Sequence, residues 1–408
     1  MITIGKTPRK IHTFFHPLKT RFATPAYKHF CGLVMAITIG HCSTIERLAK
    51  LLRGSTHRTN HGEFLWRSNW NESSVIQQIA MDTLRRLHRK NGGKCYFIID
   101  DTQTLKQAKK MDGVGKLYHH ASGKYGTGHT ILKVCLWYRG VTIPWGSWLY
   151  LKKGDAPKLK MPFRTLTELA AEAIRNVVLP KGITPVVLFD SYYLCPVVAA
   201  ACRARKFHFI GIGKANRNFF INGRKHKLGS YGPNLLRRKG QSFAIAGLRT
   251  RRTYRLAERT GRLNKLGMVK VVFSRRRGER KSIALVTDNL GVSSKTIVAD
   301  YLRRWAIEML IKDEKQHLGL GDYRVLRYRS VVRHLHLVDC AYACLTHLAI
   351  KDQRAQGQQK NKNVLRLPTM SQLKTRMRQL VWQEAVQDVV KCSHEKPVIR
   401  RLEKLLAA

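Results

Sequence analysis

Acidic side chains are scarce in this chain of 408 residues: 25 Asp and Glu stand against 76 Lys and Arg, a formal net charge of +51. Such an imbalance repels itself unless a polyanion neutralises it, which makes nucleic acid the leading class of partner. Long apolar runs are missing too. Residues 31–39 form one of the longest, far short of the roughly 20 residues that cross a bilayer, so the chain does not read as membrane-spanning. The first residues are basic and hold early prolines, with no apolar segment before a small-residue cleavage site, and nothing there marks secretion. Cys-x2-Cys pairs are absent among the nine cysteines. Their odd number, and the apolar neighbours of Cys195, Cys202, Cys340 and Cys344, fit reduced thiols in the cytoplasm. No internal repeat is present.

The bases are unevenly spread. Residues 214–299 hold 22 bases and 3 acids, with clusters at Arg237-Arg238-Lys239, Arg249-Thr250-Arg251-Arg252 and Arg275-Arg276-Arg277; residues 1–94 hold 16 bases and 4 acids. From Asp300 onward stand 11 of the 25 acids. The two basic regions are expected to hold the polyanion, and the more mixed remainder to do other work.

Residues 26–90 read as helices. Ser43 and Glu46 make a capping-box pair ahead of an apolar-periodic run to Leu52, and residues 73–89 repeat apolar side chains at helical spacing. Residues 95–99 read as a buried strand that stops at Asp100-Asp101; a glycine-rich turn region follows over 113–128, and strands over 130–138 and 141–150 complete an antiparallel meander. A helix over 165–178, a strand over 185–189 ending at Asp190, a helix over 196–205 and a strand over 207–213 predict a parallel unit on the same sheet. Residues 214–280 show short β-like runs without a strong helix signal, an inserted β-rich module, and 282–287 is one more strand. Helices are expected over 294–317, 332–350, 371–390 and 397–406, with a linker over 351–363. The expected division is a helical DNA-binding region (1–94), an α/β catalytic core in two parts (95–213 and 300–351), a basic β-rich insertion (214–299), and a linker with C-terminal helices (352–408).

Asp101 and Asp190 each end an apolar strand of what is expected to be one sheet, where neighbouring strands bring such carboxylates close together. Hard divalent cations take oxygen donors, and Mg2+ is commonly held by a few carboxylates while phosphates and waters complete its shell. Strand-end Asp residues are also ordinary turn formers. A third feature adds weight. Tyr301, Arg304, Glu308 and Lys315, at offsets of 3, 7 and 14, fall within a helical stripe about 60° wide. One face then carries a phenol, a guanidinium, a carboxylate and an ammonium; a solvated i,i+4 salt bridge accounts for Arg304 with Glu308 alone.

Asp-Thr after an apolar strand, a second strand-ending Asp, and Tyr-x2-Arg-x3-Glu-x6-Lys on a later helix together resemble the DDE transposases of bacterial insertion sequences with the YREK signature, insertion-sequence family four and its relatives. The likeness runs over about residues 26–350. It implies an α/β, ribonuclease-H-like mixed sheet flanked by helices and interrupted by the insertion, which cleaves transposon ends and joins their 3′-hydroxyls to target DNA. It also implies two Mg2+ ions, with Mn2+ as a substitute, held by Asp101, Asp190 and Glu308. Asp101 takes the first place because the motif's Asp directly precedes Thr, here Thr102; Asp100 is its competitor. Tyr301, Arg304 and Lys315 are assigned by the resemblance to phosphates near the cut, which suits their donor chemistry. The implied partners are double-stranded DNA, both element ends and target, and a second copy of the chain in a synaptic homodimer, in the cytoplasm at the nucleoid and away from membranes.

One departure concerns hairpin-forming relatives, which hold a flipped base with an aromatic residue, commonly Trp, in the insertion; residues 214–299 contain no Trp. Phe219, Phe220, Tyr231, Phe243, Tyr254 and Phe273 are substitutes that read first as core. His119, His120 and His129 lack an acid or Cys at ligand spacing, and Gly211-Ile212-Gly213-Lys214 lacks the phosphate-loop spacing. Trp66 and Trp70 read as core. The helix over 371–390, with Leu373, Met377, Leu380 and Val381 near one face around Trp382, is the candidate surface for a second copy; packing on its own core is the alternative. Two other readings stand beside the enzyme: a catalytically inactive transposase-derived DNA-binding protein, and an RNA-binding protein, which accounts for the charge but not for the carboxylates.

Overall fold

Residues 95–99, Cys-Tyr-Phe-Ile-Ile, are all buried, as a strand covered on both faces requires. The structure is a computed structural model that describes residues 7–41, 43–52, 57–88, 94–108, 110–119, 122–248, 250–355 and 364–391. In it this stretch opens β1 (Cys95–Leu105), a central strand of a twelve-stranded mixed sheet formed by the described residues. The hairpin β2 (Gly115–His119) with β3 (Lys124–Tyr138) and the strand β4 (Val141–Leu149) lie to one side. On the other side β5 (Pro185–Phe189) and β6 (Phe209–Gly213) run parallel to β1, as the strand-helix-strand pattern predicts. The helices α6 (Leu166–Asn176) and α7 (Pro196–Ala204) make those crossovers. Thr165 and Glu168 close a reciprocal capping box on α6.

The sheet does not stop at β6. Antiparallel to it comes β12 (Ile283–Thr287), then β11 (Gly267–Arg276) and β10 (Arg251–Leu263), with β7 (Asn218–Ile221), β8 (Arg224–Lys227) and β9 (Gln241–Ala246) at the margin. The basic stretch is therefore β-rich as expected, but it extends the central sheet instead of forming a module of its own. It also contains α8 (Leu228–Lys239), which the sequence hides behind Gly229, Gly232 and Pro233. Buried Leu228, Leu235 and Leu236 hold it down, and a Cβ at Gly232 would stand 2.3 Å from the Phe273 ring. Phe219 and Phe273 are core, in line with the structural reading of the insertion's aromatics.

Helices cover both faces. One core gathers α6, α7 and α8. The other gathers the N-terminal helices α1 (His12–Phe15), α2 (Thr24–Ile39), α3 (Ile45–Lys50), α4 (Arg58–Trp66) and α5 (Glu72–Leu87) together with α9 (Ser294–Tyr301), α10 (Trp305–His317), α11 (Tyr328–Ala355) and α12 (Met370–Lys391). This is the mixed α/β architecture, with helices at both ends, that the ribonuclease-H-like expectation describes. Buried Arg333 of α11 knits the N-terminal helices to the core: it donates to the carbonyls of Phe64, Leu65 and Trp70 and pairs with Glu72 at 3.3 Å.

Four local readings change. β1 continues through Asp100 and Asp101 because β3 pairs with it over its whole length. Thr44, not Ser43, caps α3, while Ser43 Oγ donates to the Gly319 carbonyl. The run over 294–317 is broken by a 3-10 turn at Leu302–Arg304. The α12 face bearing Leu373, Met377, Leu380 and Val381 is buried against this chain's own core, so the alternative reading of that helix holds. His120, Arg249, residues 356–363 of the expected linker and the expected helix over 397–406 lie outside the described residues.

Burial makes His61, His129, His334 and His347 hard to protonate, each titrating at about 4 instead of 6.5. An unfolded chain binds protons at these rings below about pH 6.5 while the native chain does not until about 4, so the stability they contribute is full above 6.5 and is lost as pH falls through that window. The urea midpoint is expected to be lower at pH 5 than at pH 7.5; equal midpoints would refute this account.

Candidate active site

β1 and β5 are parallel with Ile98 opposite Leu188, and two more residues along that register set Asp100 beside Asp190. Side chains alternate across a strand, so Asp100 shares the face of Tyr96 and Ile98, the face covered by Ile307 and Leu310 of α10. Asp101 takes the opposite face with Phe97 and Ile99, and there Tyr193 donates its hydroxyl to Asp101 Oδ1 at 2.8 Å. Asp190 follows the last residue of β5 and turns the chain: its Oδ1 accepts from the backbone of Tyr192 at 2.8 Å and of Tyr193 at 3.3 Å.

Glu308 comes to this cluster on the first turn of α10, and Arg304 makes the connection. Its Nη1 donates to Asp100 Oδ2 at 2.9 Å and its Nη2 to Glu308 Oε1, with all three side chains no more than 30% exposed. Burial raises the Asp100 carboxyl to about 6; Arg304 pulls it back, while Asp190 and Asp101 push it further up. Tyr301, at the end of α9, is raised by burial, with Arg304 opposing and Asp190, Asp100 and Glu308 adding to the rise. Its hydroxyl donates to the Phe189 carbonyl at 3.3 Å. Lys315 donates to the Gln103 carbonyl at 2.9 Å, two residues past Asp101 on β1. Tyr301, Arg304 and Glu308 thus lie at the carboxylates even though the helix breaks between the first and the third, while Lys315 reaches β1 further along at Gln103.

Behind Asp100 lies a second set of charges that sequence reasoning missed. Lys133 of β3 is the register partner of Asp100. Its ammonium, with no exposure, lies 2.7 Å from Glu314 Oε2 of α10, 2.5 Å from Asp339 Oδ1 of α11 and 2.9 Å from Ser147 Oγ of β4. Burial works against the ammonium, but Asp339 and Glu314 outweigh it and raise Lys133 to about 12; burial and Asp339 lift Glu314 well above the ordinary range. A Lys in the middle of an otherwise apolar strand, residues 131–138, was the available signal.

Asp100, Asp190 and Glu308 are oxygen donors of the kind a hard divalent cation takes. The set fits Mg2+ in chemistry. In geometry it is held by Arg304, and among the described residues no three His, Cys, Asp or Glu side chains meet closely enough to hold a metal ion. His129 is no ligand candidate: it is buried between the Tyr323 hydroxyl at 2.7 Å and the Asp112 carbonyl at 2.9 Å.

Arg275 and Arg276 end β11, and Arg277 follows, its backbone donating to the Thr253 carbonyl. Arg276 pairs with Glu279 at 2.9 Å. With Arg252, Arg276 and Arg277 line a shallow hollow of about 320 Å³ at this edge of the sheet.

The family model described as DDE superfamily endonuclease matches residues 28–234, half of the chain, and the one described as Transposase DDE domain matches residues 163–344. The first spans Asp100, Asp101 and Asp190, and the second spans Asp190, Arg304, Glu308 and Lys315. No curated protein matches the chain significantly.

Lys133→Met leaves two buried carboxyl groups without their counter-charge and is expected to cost about 3–5 kcal/mol in urea unfolding. The triple variant Lys133→Met, Glu314→Met, Asp339→Leu should recover most of that loss. A single variant as stable as the parent protein would show that Lys133 carries no such role.

Proposed function

Because the chain belongs to the DDE superfamily endonucleases, with a transposase DDE domain, we propose that it binds the ends of an insertion sequence, cuts them and joins the 3′-hydroxyls to target DNA by phosphoryl transfer. The observation that carries this reading is the approach of Asp100 and Asp190 on neighbouring parallel strands, with Glu308 linked to Asp100 through Arg304. The YREK spacing supports the insertion-sequence branch of the family. The motif assigns the first carboxylate to Asp101, whereas the strand face favours Asp100; in our reading Asp100, Asp190 and Glu308 bind the cation, and Asp101, held by Tyr193, braces the strand from behind.

Mg2+ bound by these carboxylates would supply the positive charge that activates the attacking oxygen and stabilises the leaving one. The chain's own residues do the rest. Two adjacent strands and α10 bring the carboxylates to one junction, where Arg304 bridges Asp100 and Glu308. Tyr301, Arg304 and Lys315 offer a hydroxyl, a guanidinium and an ammonium to phosphates beside the cut. Arg275, Arg276 and Arg277 take phosphates further along the same duplex. Two ends must be cut together, so the active complex is a homodimer on paired ends.

Two experiments test this. Asp100→Asn, Asp190→Asn and Glu308→Gln are expected to abolish Mg2+-dependent cleavage of DNA carrying the element's ends, with end binding kept, while Asp101→Asn retains part of the activity; sedimentation of the cutting complex should show two chains. Normal cutting by Asp190→Asn or Glu308→Gln would sink the proposal, and loss in Asp101→Asn alone would return the first carboxylate to the motif position. Separately, changing Arg275, Arg276 and Arg277 to Ala should lower the salt slope of duplex binding by up to about 0.9 for each phosphate that these side chains neutralise. An unchanged slope would mean that the cluster faces away from DNA.

A further inference from the structure

A cleft of about 1160 Å³ opens beyond the active site, between the N-terminal helices and the far end of β1. Arg47, Lys50 and Arg58, on α3 and the start of α4, line one wall; Lys106 and Arg324, just past β1 and in the loop before α11, line the other. The acids that also line it are engaged. Glu46 is shared by Lys50 at 3.6 Å and Arg58 at 3.5 Å, and Asp322 accepts from the Ser43 backbone at 3.3 Å. Lys106 is turned inward over the Tyr323 ring, 3.4 Å from its centre, whereas Arg47 and Arg324 are exposed.

Between these basic walls lie two leucines that solvent reaches, Leu105 at 47% and Leu326 at 52% exposure. The outside of a duplex keeps its base faces stacked inside and offers such side chains little beyond thymine methyls at the groove edge. An unpaired strand offers both, and grooves that bind single strands pair a basic track with apolar contacts to the bases. The cleft lies further along β1 from the active site. Lys315, seven residues after Glu308 on α10, is tied to the Gln103 carbonyl, and Leu105 stands about 17 Å along the strand from Asp100.

We propose that this cleft binds an unpaired DNA strand leading away from the cut. Its relation to the cut rests on the function proposed above; its preference for single strands rests on the cleft alone. The test is fluorescence anisotropy of the full chain with a labelled single-stranded oligonucleotide of mixed sequence and with the duplex of the same sequence. The Arg47→Ala, Arg324→Ala double variant is expected to bind the single strand about tenfold more weakly at physiological salt, with a salt slope smaller by about 1.4, since two single-strand phosphates are then left to their counterions. Leu326→Ser should weaken single-strand binding and leave the slope unchanged. Duplex affinity should move much less in both. Equal losses for single strand and duplex would overturn the assignment, as would single-strand binding unaffected by either variant. Cleavage is scored separately: a protein that binds single strands through this cleft but cuts no DNA retains the inference and loses the function.

Discussion

The ammonium of Lys133 is the charge on which the site's assembly depends. It stands on β3 opposite Asp100, and through Glu314, Asp339 and Ser147 it reaches α10, α11 and β4 at once. No apolar contact could fix those four elements in one relative position so strictly, because dispersion contacts tolerate sliding while a buried ion pair does not. One ammonium facing two carboxyl groups leaves an excess of negative charge. The upward displacement of Glu314 eases it, because burial and Asp339 both disfavour a second negative charge beside the ammonium. The helix that carries Glu308 is thereby fastened to the strand next to the one that carries Asp100.

Arg304 solves the same problem on the solvent side. Asp100, Asp101, Asp190 and Glu308 bring four carboxyl groups to the junction of β1, β5 and α10, and Asp190 and Asp101 raise the cost of ionising Asp100. The guanidinium bridges Asp100 and Glu308 in a fork geometry that Lys could not reproduce. Asp101 escapes the crowd by facing the other side of the strand, where Tyr193 satisfies it. Two adjacent acids in one strand are therefore not redundant: parity sends one to each face.

This parity marks how far the sequence could be read. The spacing of Tyr301, Arg304, Glu308 and Lys315 put them on one stripe, although it assumed a continuous helix that in fact breaks at Leu302–Arg304. The assumption did little harm because a 3-10 turn changes the rotation by only a few tens of degrees over three residues. The strand-helix-strand unit around Asp190 was legible because its apolar runs are short and bounded. Which face each of Asp100 and Asp101 takes was not, since a run buried on both faces carries no alternation to tell one face from the other. Nor was α8, whose two early glycines and Pro233 oppose helix locally and are overruled by packing on β10 and β11. The fate of α12 depended on partners distant in sequence, α2 and α11, which no local pattern names.

The extension of the sheet through the basic stretch fixes a distance. From β5 the order runs through β6 and β12 to β11, three strand spacings or about 14 Å. The registers pair Phe189 with Gly211, Gly211 with Val286 and Val286 with Val271, so Asp190 and the Arg275-Arg276 end of β11 lie toward the same end of the sheet, Arg275 about 10 Å further along. Asp190 and this basic end of β11, roughly 17 Å apart, fall within a single turn of duplex, about 34 Å. Had the insertion folded as a separate module on a linker, that separation would be free to vary. As part of one hydrogen-bonded sheet it is set by strand spacing, and the carboxylates and the basic cluster keep a fixed register to one another.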